Sequence, residues 1–156
     1  MGGTLTSYEL WLFLHLTAVV VWIGGALMGQ VFGILTQRAR SPVESAGYGR
    51  NMAWVAKWIF LPSSVVVILT GMGLTEDGDW GWDEPFVVVG MIAGVAIAAL
   101  GIGYVTPRMG RAGARMATDG PSPELAAEMN RLVWIARGLL AVAFVIIFMM
   151  VTKLGT

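Results

Sequence analysis

The chain has 156 residues with ten basic and ten acidic side chains, so its formal charge is zero and nothing in the balance favours nucleic acid as a partner. Only 13% of residues are charged against 56% hydrophobic, whereas soluble domains carry roughly 25% charged residues; a water-dispersed globule is therefore excluded. Cysteine is absent, which removes disulfides, thiolate chemistry and Cys-ligated metals.

Four long apolar runs follow one another: Leu10 to Thr36, Trp58 to Leu74, Pro85 to Val105 and Leu132 to Thr152. A bilayer-spanning helix needs about 20 mostly apolar residues, and lipid offers the backbone no hydrogen bonds, so only helices or closed barrels can cross. The runs are continuous rather than alternating, which selects helices. The expected fold is all-α: a polytopic membrane protein, a four-transmembrane-helix bundle, one domain over 1–156 with spans near 10–36, 55–74, 85–106 and 129–153.

The first run, "YELWLFLHLTAVVVWIGGALMGQVFGILTQ", has no basic residue before Glu9 and is longer than a signal-peptide core, so it reads as a retained helix. It carries His15, the only histidine in the sequence. At helical spacing the face of His15 continues through Ala18, Val19, Trp22 and Ala26. Ionisable groups inside a span are costly and face protein rather than lipid. One reading makes His15 a plain structural residue satisfied by a carbonyl or hydroxyl. The other makes it a metal or haem ligand, because imidazole is an ordinary axial ligand of b-type haem.

Gly25, Gly29 and Gly33 recur every four residues in the first span, and Gly90, Gly94, Ala98 and Gly101 line the third. Such small-residue faces let membrane helices approach closely, either within the chain or as a seam of a homo-oligomer. In the second span Pro62 should bend the helix and strand a carbonyl, with Ser63 and Ser64 at hand to offset the loss.

The connections carry opposite charge. The first holds Arg38, Arg40 and Arg50; the third holds Arg108, Arg111, Arg115 and Arg131; the second, "TEDGDWGWDEP", has no base and five acids. By the positive-inside rule the first and third connections are cytoplasmic, giving an N-out/C-out arrangement in a bacterial inner membrane, with Lys153 as the one exception. In the third connection Ser122 reads as an N-cap, followed by Pro123 and Glu124, so the last helix begins in the cytoplasm and runs about 30 residues. Lys57 and Arg137 lie near the cytoplasmic headgroups, where they either snorkel to water or share an anion pocket for a lipid phosphate or a propionate-bearing cofactor.

Three stretches, "LHLTAVVVWIGG", "KWIFLPSSVVVILTGMGL" and "MNRLVWIARGLLAVAFVIIFMMV", give the chain a resemblance to a family of small bacterial integral-membrane proteins of unknown function. More distantly it resembles the bacterial protoporphyrinogen oxidase and copper-resistance membrane families. The resemblance implies a bundle that handles haem or another tetrapyrrole, with His15 at the first-helix histidine. The oxidase family's basic residue in the third helix has no counterpart here, since "PFVVVGMIAGVAIAALGIGYV" contains no Lys, Arg or His. The candidate cofactor site is thus His15, Trp22, Lys57 and Arg137, with His15 as the metal ligand. A structural or accessory subunit that binds lipid or a partner protein is the alternative, and a small-molecule permease a third. No constellation for hydrolysis stands within a span, so no catalytic residue is assigned.

Overall fold

A computed structural model describes residues 5–39 and 41–153; Arg40, counted above among the cytoplasmic bases, lies outside the described residues. The architecture is a helical bundle. Helix α1 (Ser7–Ala39) is followed by α2 (Pro42–Val55), which passes through a π-helical segment (Ala56–Phe60) into α3 (Leu61–Asp77). Helix α4 (Pro85–Ala98) passes likewise through a π segment (Ala99–Val105) into α5 (Thr106–Thr118), and α6 (Pro123–Thr152) closes the chain. Four long rods result, 7–39, 43–77, 85–118 and 123–152, each long and apolar enough to cross a membrane. In the lipid-facing portion α1 packs on α3, α3 on α4, α4 on α6 and α6 on α1, an up-down-up-down square.

Both π segments stand directly before a proline. Pro62 and Pro107 occupy the first turns of α3 and α5. Proline lacks the N–H that would close an α-helical bond and crowds the carbonyl four residues back. A local i→i+5 turn absorbs the mismatch without breaking the rod. At the second site the Thr106 backbone N–H and hydroxyl both bond the Gly101 carbonyl, the hydroxyl at 2.8 Å. At the first, Ser64 does not play the compensating part expected of it: its hydroxyl makes no hydrogen bond among the described residues and lines a cavity instead.

The rods extend well past the apolar runs at the arginine-bearing end. Residues 42–55 and 106–118, read from sequence as connecting segments, are helices. They pack on one another more extensively than any other pair. The physical reason lies in α5: Met109, Ala112, Gly113 and Met116 are buried on one face while Arg111 and Arg115 are exposed and Arg108 lies over the Tyr104 ring, the pattern of a helix half in water. The most buried large side chains, Leu132 and Val133, belong to this end, in a core with Val105, Met109, Leu125 and Met129. The apolar spans show the reverse. Phe13, Val20, Ile92 and Phe148 are exposed, as lipid-facing residues should be where hydrophobic burial gains nothing. Ser122 caps α6 as expected, its hydroxyl accepting from the Leu125 N–H at 3.2 Å, and α6 runs 30 residues.

Glycines set the helix spacing within the chain. The α1 stripe receives side chains of the next rod: a Cβ on Gly25 would lie 2.8 Å from the Phe60 ring, and one on Gly33 3.0 Å from the Tyr48 hydroxyl. The α1 face considered above as an oligomer seam is filled from inside. At the opposite end Gly73 receives the Trp11 ring. In the acidic turn, Trp80 meets Phe86 edge-on with centroids 5.4 Å apart, and the Lys153 ammonium stands 3.8 Å from the Trp80 ring centroid. This cation–π contact places the one exceptional base of the charge pattern against an interfacial aromatic.

Candidate functional site

His15 is half-buried on α1 and turned toward α3. Its Nδ1 lies 3.1 Å from the Val67 carbonyl oxygen and 3.0 Å from Thr70 Oγ1. A carbonyl can only accept, so Nδ1 carries the proton in the neutral ring. Thr70, itself buried, donates its hydroxyl to the Val66 carbonyl at 2.6 Å, which leaves its oxygen free to accept from the imidazole. Gly71 gives the ring room, with the Cε1 edge 3.5 Å from where a Cβ would stand. The sequence "VILTGM" therefore supplies a carbonyl, a hydroxyl and a gap on one helix face. Neither Thr70 nor Gly71 was singled out above; a Thr followed by Gly inside an apolar run facing the only histidine was the available signal.

With Nδ1 committed, Nε2 is the nitrogen left with a lone pair, and it makes no hydrogen bond among the described residues. His15 borders an apolar cavity of about 100 Å³ between α1, α3, α4 and α6, together with Trp22, Ser64, Gly94, Ile97 and Met150. The imidazole and the Ser64 hydroxyl are its only polar side-chain groups apart from the Trp22 indole N–H. That indole N–H is buried without an acceptor among the described residues. Trp22 packs against Phe60 at 6.0 Å and also borders a second cavity, of about 80 Å³, toward the arginine-bearing end. Trp22 and Ile97 line both chambers.

The other two candidate residues are elsewhere. Arg137 donates its Nε–H to Gln30 Oε1 at 3.2 Å, and its guanidinium carbon lies 4.7 Å from the Trp134 ring centroid. Gln30 is fifteen residues from His15 on α1, roughly 22 Å of helix rise. Lys57 is exposed, its ammonium 5.3 Å from the neighbouring Trp58 ring; it stands ten residues from Val67, roughly 15 Å of rise. The fold thus brings His15 and Trp22 together and holds Lys57 and Arg137 a half-membrane away. No group of three or more His, Asp or Glu side chains able to hold a metal occurs among the described residues.

A family model described as predicted integral membrane protein (DUF2269) matches residues 9–154. The chain belongs to this family. The match runs through all four rods and both arginine-bearing helices, so the four spans share one bilayer environment. No curated protein and no solved structure matches the chain.

Proposed function

We propose that this member of the family is a ligand-binding protein of the bacterial inner membrane, with both termini outside, whose His15 Nε2 ligates the metal of a b-type haem or related tetrapyrrole. The observation that carries the reading is the placement of His15 Nδ1 3.1 Å from the Val67 carbonyl oxygen and 3.0 Å from Thr70 Oγ1. An Nδ1–H held by a backbone carbonyl and a hydroxyl orients the ring, the arrangement typical of metal-ligating imidazoles. It leaves one unshared nitrogen beside an apolar chamber. When bound, such a group would supply redox or electron-transfer chemistry; the protein's part is to present one axial nitrogen, exclude water and offer the Trp22 face.

The donor set fits one axial ligand, not two. Arg137 and Lys57 do not fit as propionate partners of a group centred on His15, because each lies too far along its helix. The chamber, about 100 Å³, is also smaller than a porphyrin, so the lining residues would hold only part of a macrocycle. The test is an absorption spectrum of protein purified from haem-replete cells. A Soret band that disappears in His15→Ala supports ligation; colourless wild-type protein overturns it.

A second reading has its own observation. The same Nδ1 contacts tie α1 to α3, so His15 also serves as a strut in a structural or accessory subunit. In that case His15→Ala lowers thermal stability in colourless protein and changes no spectrum.

A further inference from the structure

Arg137 presents a problem that its protein neighbours leave unsolved. It lies fifteen residues from Thr152 at the far end of α6, roughly 22 Å of rise, and so within a hydrocarbon layer about 30 Å thick. A guanidinium has five N–H donors. Among the described residues one is used, on Gln30, and the only ion pair is Arg115 with Asp119, at the distal end of α5. The Trp134 ring shields one face of the cation but accepts none of its N–H groups in plane. A cation at this depth is costly unless an anion or water meets it.

Gln30, its anchor, borders the second chamber, which continues past Gly29, Met52, Gly101, Ile102 and Leu140 toward Trp22 and is almost wholly apolar. A charged donor group anchored on a side chain that borders an apolar slot matches an amphiphile with an anionic head and a hydrocarbon tail. The Tyr48 hydroxyl does not compete for the head, because it already donates to the Gly29 carbonyl at 3.1 Å.

We infer that Arg137, held by Gln30, binds the phosphate of an anionic phospholipid from the arginine-rich leaflet, with part of one acyl chain in the slot lined by Gly29 and Gly101. This site is separate from His15 and stands or falls without it. Bidentate contact between guanidinium and phosphate supplies the head-group affinity, and displacement of nothing polar from the slot favours the chain.

The experiment uses full-length protein in a non-ionic detergent, titrated with phosphatidylglycerol and read by native mass spectrometry. One lipid per chain should be retained, and Arg137→Gln should weaken it about tenfold or more, the effect of losing a charged hydrogen bond. Diacylglycerol of the same chain length should bind wild type no better than phosphatidylglycerol binds the variant. Inorganic phosphate at millimolar concentration should not displace the lipid; displacement would reduce the site to one for a free anion and overturn the proposal. Equal retention by wild type and Arg137→Gln overturns it as well. Circular dichroism checks that the variant is folded, and Arg137→Lys, which keeps the charge and loses the fork, should fall between the two. If Arg137→Gln does not fold, Gln30→Leu takes its place: it frees the guanidinium from its anchor and should weaken retention several-fold, and unchanged retention overturns the proposal.

Discussion

An imidazole whose Nδ1–H points at a carbonyl has lost its choice of tautomer, and that loss makes the two partners of His15 separable. Val67 contributes backbone that no substitution removes, so Thr70→Val should leave the tautomer in place. The cost should be about 0.5–1 kcal/mol, the usual worth of one such bond between membrane helices, read as a shift in unfolding by denaturing detergent titration. Any Soret absorption should persist in Thr70→Val and vanish in His15→Ala. If Thr70→Val abolished it as completely, the hydroxyl and not the carbonyl would be setting the ring. A lone histidine in an apolar run was legible as a candidate interior group, but not which helix it would face. Its partners were not, because they sit more than fifty positions away and are identified only by the register of two antiparallel rods.

At the level of helices, the most extensive packing among the described residues is the crossing of α2 and α5. A Cβ on Gly49 would stand 2.5 Å from the Met109 carbonyl oxygen and 3.3 Å from the Gly113 Cα, whereas one on Gly47 would meet nothing within 4 Å. Gly49→Ala must therefore separate two backbones and should cost about 1–3 kcal/mol. Gly47→Ala should be neutral or gain up to about 1 kcal/mol from helix propensity. Thermal unfolding of the pair in one detergent checks the contrast, which equal shifts would refute. Gly25→Leu should be worse than Gly24→Leu for the same kind of reason, since Phe60 fills the space beside Gly25 and nothing occupies that beside Gly24. Spans, order and the Ser122 cap were readable because apolar length and capping chemistry are local. The π segments and the helical nature of 42–55 and 106–118 were not, because short polar helices are stabilised by packing on each other, which a linear pattern does not display. Pro62 was read as a bend, and the answer the fold gives is an extra residue in the turn before it.

For the whole molecule the decisive quantity is where water ends. The tightly buried core lies at the arginine-bearing end and the exposed apolar residues lie along the spans, so the protein has a water-facing base and a lipid-facing shaft. The cysteine-free sequence permits a direct check of its orientation. Trp82→Cys, in the acidic turn, should react with a membrane-impermeant thiol reagent on intact cells. Ala117→Cys, exposed near the end of α5, should react only after the membrane is opened. The reverse pattern would invert the assignment of leaflets and move the Arg137 site to the outer one.

That Trp22 and Ile97 border both chambers carries a thermodynamic obligation. Any occupant of the His15 chamber that tilts the indole alters the volume open to a hydrocarbon tail on the far side, and the influence must run equally in the opposite direction. If both proposed ligands bind, acyl-chain length in the surrounding lipid should tune the affinity at the imidazole, and filling the imidazole chamber should tune lipid retention by the same factor.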